Sequence, residues 1–143
     1  FYSHNNSIEA DINGVTYKNG KILFADKNND VAIIKFNFNS QHKLKLADSY
    51  IPKLGENIFV IGNPLGFQTT ISNGIISAIR EKNSYIQITA PVSHGSSGSP
   101  LFNSNGEVIG IITLSVTQGQ NLNFALPIKI LTETIINNNI IIE

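Results

Sequence analysis

The chain has 143 residues, of which 41% are hydrophobic and 14% charged, a composition typical of a globular protein. Ten basic and ten acidic side chains cancel, so no long-range field is present to attract nucleic acid or an anionic membrane. The absence of cysteine excludes disulfides, a thiolate nucleophile and cysteine-ligated zinc, and no apolar run approaches the ~20 residues that span a bilayer.

Short apolar or alternating runs, separated by clusters of Gly, Asn, Pro and Ser, predict an all-β fold. The predicted strands, in chain order, are Ser7–Ile12, Val15–Asp26, Val31–Phe36, Ile58–Gly62, Gln68–Arg80, Tyr85–Thr89, Pro100–Phe102, Val108–Ser115 and Asn123–Pro127. Asn19-Gly20 permits two interpretations of the second run: a tight turn that divides it, or a bulge that bends it. The polar stretch Asn37–Gly55 is interpreted as a linker. After Pro127, apolar residues at spacings near 3.6 predict a terminal helix.

The segment Gly95–Pro100, which reads Gly-Ser-Ser-Gly-Ser-Pro, is the strongest candidate for chemistry. A serine hydroxyl becomes an effective nucleophile only when a base removes its proton and hydrogen-bond donors stabilise the oxyanion that follows. Glycines near Ser97 allow backbone conformations in which successive N–H groups point into one small space. Taken alone, however, the segment is more typical of a surface turn, so its surroundings have to decide.

Those surroundings resemble the HtrA (Deg) branch of the trypsin-like serine proteases. Gly95–Pro100 is similar to the Gly-Asn-Ser-Gly-Gly-Pro signature of that family. Further segments resemble family segments and occur in the family's order: Ile61–Gly66, Ile71–Ala78, Ala90–His94, Leu101–Asn103, Gly106–Ile111 and Asn123–Pro127. The resemblance implies a chymotrypsin-like all-β fold, with two packed six-stranded Greek-key barrels and a C-terminal helix.

We expect the first of these barrels to be incomplete in this chain. The expected organisation is residues 1–36 for the remainder of the first barrel, 37–57 for the linker, 58–127 for the second barrel and 128–139 for the helix. The resemblance implies no cofactor and no metal. The chain stops soon after the helix, so no PDZ domain is expected within it.

Mapped onto this chain, the family's motifs make Ser97 the nucleophile and the backbone N–H groups of Gly95 and Ser97 the oxyanion hole. Asp30 is similar to the Asp of the family's Asp-Leu-Ala-Leu-Leu-Lys segment, which orients the triad histidine and opens a buried strand. The alternative interpretation of Asp30 is an Asp that caps a turn, for which Asp26 and Asp48 are natural examples.

The triad histidine is the open question of the sequence. His42 lies in the polar linker, where we expect it to be exposed, and His94 occupies a family position that is not catalytic. His4 precedes Asp30 as the family order requires, but only about two residues remain for the helical turn that the family places after its histidine. The base is therefore His4, a residue upstream of Phe1, or lost, and the context favours the upstream residue.

The resemblance also implies a substrate pocket, with walls contributed by Val92, His94, Thr113, Leu114 and Phe124. The segments that would form these walls, Val92–His94, Ile112–Ser115 and Asn123–Ala125, carry no acidic residue. A small or medium apolar side chain is therefore expected at the cleaved residue, rather than Lys or Arg. The candidate regulatory loops are Leu65–Ile71, Pro91–Ser96 and Leu114–Leu122.

As a whole, the resemblance implies a serine endopeptidase that acts on unfolded or damaged polypeptides, assembles as a homotrimer and works in an extracytoplasmic setting, periplasmic or cell-surface. One departure from the family is Ser99, where a second Gly is usual. If this position required a backbone conformation that only Gly tolerates, the serine would distort the oxyanion hole. The unassigned histidine and Ser99 motivate the alternative, a catalytically inactive protease-like module for binding or chaperoning.

Overall fold

A computed structural model describes residues 7–38, 40–62, 69–80, 85–93, 95–113 and 122–140 of the chain. Within these ranges the backbone forms nine strands and one helix. In chain order they are β1 Ile8–Ile12, β2 Val15–Asp26, β3 Val31–Lys35, β4 Asn57–Gly62, β5 Thr70–Arg80, β6 Tyr85–Ile88, β7 Pro100–Asn103, β8 Val108–Ile112, β9 Asn123–Pro127 and α1 Ile128–Asn137.

The predicted all-β class with a C-terminal helix is confirmed, and each predicted strand is present with its ends shifted by at most three residues. Gln68, Leu114 and Ser115, which the prediction included in strands, lie outside the described residues. The chain divides into two compact units, Phe1–Lys43 and Leu44–Glu143.

The first unit contains one three-stranded antiparallel sheet, in the order β1-β2-β3. The β1–β2 hairpin turns at Asn13-Gly14, where both residues have positive φ (54° and 78°), as a type I′ turn requires. The Asp11 carboxylate accepts a hydrogen bond from the Gly14 N–H at 3.0 Å and closes the turn. None of the described residues of this unit is fully buried, so β3 is not the buried strand that the resemblance implied.

The second run is one continuous strand with a bulge, which decides between the two interpretations of Asn19-Gly20. Ile8 pairs with Gly20 and Ala10 pairs with Tyr17, so β2 carries one more residue than β1 between these two pairs. Asn19 accommodates the extra residue with φ +62°, a conformation that Asn adopts more readily than most side chains.

The second unit is a closed barrel of six strands in the order β4-β5-β6-β9-β8-β7. Strand alternation explains its core: Ile58 and Val60 point inward from β4, whereas Phe59 between them is 37% exposed. The central cluster of buried side chains is Ile58, Val60, Ile76, Ile86, Ile88, Ala90, Leu101, Ile109, Ile112 and Ala125. This apolar interior is the rigid support on which the loops at the strand ends are placed.

Helix α1 begins directly after Pro127 and packs on the outside of the barrel. A second cluster joins Ile128 and Leu131 of the helix to Phe102 and Val108 of β7 and β8. The helix is ten residues long, and among the described residues no helix is long and apolar enough to cross a lipid bilayer.

Part of the stretch interpreted as a linker is attached to the second unit. Lys45 and Ala47 exchange backbone hydrogen bonds with Val108, at 2.8 and 3.0 Å, and Leu46 forms a parallel bridge with the same residue. The Lys45 ammonium also lies 2.6 Å from Glu107 Oε1. Together with the Asn103 carboxamide, Lys45 holds the pKa of the Glu107 carboxyl below its ordinary value.

Candidate active site

Ser97 stands at the corner of a tight turn between β6 and β7. The Ser99 N–H donates a hydrogen bond of 3.0 Å to the Ser96 carbonyl, which closes a four-residue turn with Ser97 second and Gly98 third. Gly98 has φ +86°, the value that a type II turn requires at its third position and that glycine adopts without strain. The turn leaves Ser97 exposed to solvent, while the side chain of Ser96 before it is buried.

This turn, which we call the Ser97 turn (Ser96–Ser99), is fastened to the end of β8. The Gly98 N–H donates to the Ile112 carbonyl at 2.8 Å, and the Ile112 N–H donates to the Ser99 carbonyl at 2.9 Å. Two reciprocal hydrogen bonds to a fully buried strand residue fix the height of the Ser97 turn above the barrel. The nucleophile candidate is therefore held by backbone geometry.

The residues before Ser97 form a second closed loop. The Ser96 N–H donates to the Ser93 carbonyl at 2.9 Å, and the Ser93 N–H donates to Ser96 Oγ at 3.2 Å. Gly95 between them has φ +94°, a conformation that favours glycine. Within the described part of the chain, the N–H groups of Gly95 and Ser97 donate no hydrogen bond. They are therefore available to an external acceptor.

Ser99 shows none of the strain that its departure from the family motif suggested. It is absent from the four described non-glycine residues with positive φ, so its position does not demand glycine. Its hydroxyl packs against Gly62 at the end of β4. The fit is close, because a Cβ added to Gly62 would lie only 2.6 Å from Ser99 Oγ. Because Gly62 lacks a side chain, the serine is accommodated.

This fit predicts a coupled pair of substitutions. Gly62→Ala alone should lower the free energy of unfolding by about 1–3 kcal/mol, because the new methyl group overlaps the Ser99 hydroxyl. Adding Ser99→Ala should recover most of that loss, since it removes only the overlapping oxygen. Urea unfolding of the single and double variants measures the coupling. Ser77→Ala, an exposed serine on β5, is the matched control and should recover nothing; equal recovery by both serine variants would contradict the proposed contact.

The chain that leads into this site is anchored by side chains that sequence analysis missed. Asn123 Nδ2 donates to the Ala90 carbonyl at 2.8 Å, and Ser72 Oγ donates to the Pro91 carbonyl at 2.8 Å. Thr89 adds a third anchor, because its Oγ1 accepts the N–H of Ile75 at 2.9 Å. These contacts join residues 14 to 33 positions apart, and no local motif in the sequence announces them.

Asp30 lies in the first unit, at the last residue of the turn before β3. It is exposed and has φ +51°. Its neighbour Asp26 has the turn-capping role expected of it: Asp26 Oδ1 accepts the N–H groups of Asn28 and Asn29, and Oδ2 accepts the Asn29 side-chain amide. These bonds lower the pKa of the Asp26 carboxyl, and the bond from the Asn29 side chain has the largest effect. Capping is thus carried out by Asp26, which leaves the carboxylate of Asp30 without that task.

The candidate histidines divide between described and undescribed parts of the chain. His4, His94 and the pocket residue Leu114 lie outside the described residues. His42 is exposed, as expected, and its backbone N–H donates to Ser40 Oγ at 3.1 Å.

Three of the expected pocket residues, Val92, Thr113 and Phe124, lie within the described part of the chain. Val92 lines a depression of about 210 Å³ together with Ser93, Ser96 and the facing ends of β4 and β5, and neither Thr113 nor Phe124 is among its lining residues. Thr113 and Phe124 are instead adjacent to each other, because the Thr113 N–H donates to the Phe124 carbonyl at 3.0 Å. The Phe124 ring packs edge-on against Tyr85, with centroids 6.4 Å apart.

A closed six-stranded antiparallel barrel, a glycine-flanked exposed serine between β6 and β7 and a helix after the last strand define the class of chymotrypsin-like serine proteases. Comparison with known proteins agrees. Residues 4–111 match the family model of the trypsin-like peptidase domain, so the chain belongs to this family.

Its relatives are HtrA-type proteases. The chain is 37% identical over 137 residues to serine protease HTRA1A of Danio rerio and 34% identical over 142 residues to a DegP-like periplasmic serine endoprotease of Pseudomonas putida. These matches cover 87% and 88% of this chain but only 28% and 30% of the relatives. A solved serine endoprotease from Yersinia pestis is similar with a TM-score of 0.81 at 29% identity, over 93% of this chain and 48% of that one.

Proposed function

We propose that Ser97 is the nucleophile of an HtrA-type serine endopeptidase to which this chain contributes. The observation that carries the proposal is the Ser97 turn, which presents an exposed hydroxyl at a backbone corner fixed to β8. Kinship with serine proteases at 34–37% identity supports it.

In the proposed reaction, Ser97 Oγ forms a bond to the carbonyl carbon of a peptide while a histidine takes its proton. The carbonyl oxygen becomes an oxyanion that accepts hydrogen bonds from the N–H groups of Gly95 and Ser97. The C–N bond then breaks, the histidine protonates the leaving amine, and water hydrolyses the acyl-enzyme. The histidine is His4 or another histidine of the full-length protein, and Asp30 sets its tautomer and orientation.

The proposed substrates are unfolded or damaged polypeptides cleaved after small or medium apolar residues. The absence of acidic residues from the proposed wall segments supports an apolar preference, because a Lys or Arg side chain would find no partner there. From the resemblance to HtrA-type proteases we further propose that the protein assembles as a homotrimer. We also propose that it works outside the cytoplasm, since one relative is named a periplasmic endoprotease.

Reaction with a serine-directed fluorophosphonate probe tests the proposal. We expect the full-length gene product to be labelled and its Ser97→Ala variant to remain unlabelled, because the probe reacts only with an activated serine. Labelling that persists in Ser97→Ala would show that a different residue is the nucleophile. A folded parent protein that is not labelled would favour the alternative, an inactive protease-like module for binding or chaperoning.

A further inference from the structure

Asn123 is one of three buried polar residues among the described part of the chain, with Ser96 and Asn103. The other two act locally: Ser96 closes the loop with Ser93, and Asn103 Oδ1 accepts the N–H groups of Asn105 and Glu107 in the β7–β8 turn. Asn123 differs, because its side chain reaches 33 positions back along the chain to the Ala90 carbonyl. A buried carboxamide with such a distant partner fixes a tertiary position rather than a turn.

The partner, Ala90, is held from two directions. It is fully buried, and β5 approaches it so closely that a Cβ on Gly74 would lie 2.3 Å from the Ala90 backbone nitrogen. Asn123 closes the other side with its hydrogen bond of 2.8 Å to the Ala90 carbonyl. The next residue, Pro91, has no N–H to contribute. Among the described residues, the Asn123 bond is therefore the last hydrogen bond from β9 before the loop reaches Ser97.

Both ends of this loop are therefore fastened to one pair of strands. The front end is bonded to Asn123 on β9, and the back end, at Gly98 and Ser99, is bonded to Ile112 on β8. Strands β8 and β9 are themselves paired, with Ile112 opposite Ala125. Because β8 and β9 are paired, the distance between the two ends of the loop is fixed. That distance determines where Ser97 is placed.

We propose that Asn123 is a positioning residue for the Ser97 turn, which acts through the Ala90 carbonyl on the loop that carries Gly95 and Ser97. Its consequence for peptide hydrolysis rests on the proposed function, whereas its consequence for the loop does not. Without the carboxamide donor, the front of the loop loses its hydrogen bond to β9 but keeps the Ser72 bond to the Pro91 carbonyl, while the back remains bonded to β8.

Asn123→Asp tests this directly, because it keeps the shape and exchanges the donor for an oxygen. At about pH 8 the ionised carboxylate repels the Ala90 carbonyl, and burial raises the pKa of such a carboxyl, so moderate acid restores an O–H donor. We expect hydrogen exchange of the Ser93 and Ser96 amides, which are bonded within the front part of the loop, to lose about 10-fold protection at high pH, the equivalent of one buried hydrogen bond, and to recover it in acid. The Gly98 amide, which is bonded to Ile112, should keep its protection.

Two further variants make the result decisive. Asn123→Ala, which removes the donor without adding charge, should lose the same protection at every pH. Asn138→Asp is the matched control, because Asn138 makes the same kind of bond, Nδ2 to the Thr134 carbonyl at 2.9 Å, at an exposed helix end. It should leave the loop amides unchanged. If the loop amides lose no more protection than those of the β4–β5 ladder, or if acid restores nothing in Asn123→Asp, the proposal is overturned.

A second readout links the anchor to chemistry. The rate of Ser97 labelling by a fluorophosphonate, taken as the ratio of Asn123→Asp to parent, should rise as the pH falls. A ratio that is constant with pH would overturn the catalytic consequence. A parent protein that is never labelled would refute the proposed function, while the exchange experiment would still decide whether Asn123 positions the loop.

Discussion

Replacing Ser97 with alanine is expected to lower kcat for peptide hydrolysis by about 10⁶-fold, the loss typical of a serine protease without its nucleophile. The side chain is exposed and the Ser97 turn is closed by backbone bonds of its neighbours. The free energy of unfolding should therefore change by no more than about 0.5 kcal/mol. A loss of activity with unchanged stability identifies a chemical role for Ser97.

The assay is digestion of a denatured protein by the full-length gene product, followed by mass spectrometry of the fragments. Ser99→Ala is the control, since it removes a hydroxyl two residues away in the same turn and should retain kcat within about 10-fold. Near-parental digestion by Ser97→Ala would exclude the proposed nucleophile. The same fragments reveal the cleaved residues, and dominant cleavage after Lys or Arg would contradict the apolar preference.

Asp30→Asn is expected to lower kcat by about 10⁴-fold with little change in KM. In the triad template, the neutral amide keeps the geometry but leaves the histidine in the wrong tautomer. The measurement is steady-state hydrolysis by the full-length product, accompanied by thermal unfolding. Asp30 is exposed, so its substitution should cost little stability.

Asp26→Asn is the matched control, four residues away on the same turn. Asp26 accepts three hydrogen bonds from Asn28 and Asn29, and its variant should lose stability while it retains activity. The two aspartates thus separate capping from catalysis. If Asp30→Asn kept parental kcat, Asp30 would be a turn residue and the triad carboxylate would have to be found elsewhere.

The strands of the barrel were predictable because burial imposes its period on the sequence. In β4, Ile58 and Val60 alternate with the more exposed Phe59, and a one-residue slip would expose the core. Pro127 likewise marked the start of the helix. The bulge at Asn19 was not decidable from the sequence, because Asn and Gly both tolerate positive φ in a turn and in a bulge.

The Ser97 turn was predictable for a different reason: its glycines are local requirements of one tight turn. The features around it were not, because they depend on residues brought together by the barrel. Ser99 seemed a defect until the fold placed it against Gly62. Asn123 is a polar residue at the start of a strand, and no local motif marks its hydrogen bond to the Ala90 carbonyl. Sequence reasoning therefore recovered the Ser97 turn but missed its supports.

The strand order of the barrel has a consequence for synthesis on the ribosome. Strand β9 lies between β6 and β8, so the ring cannot close until residue 127 has emerged. Until then Ala90 lacks its partner Asn123, and the loop before Ser97 lacks its hydrogen bond to β9. Long-range closure of this kind is slow. The Ser97 turn is thereby completed late in translation, so a nascent chain does not present the finished turn beside its own unfolded segments.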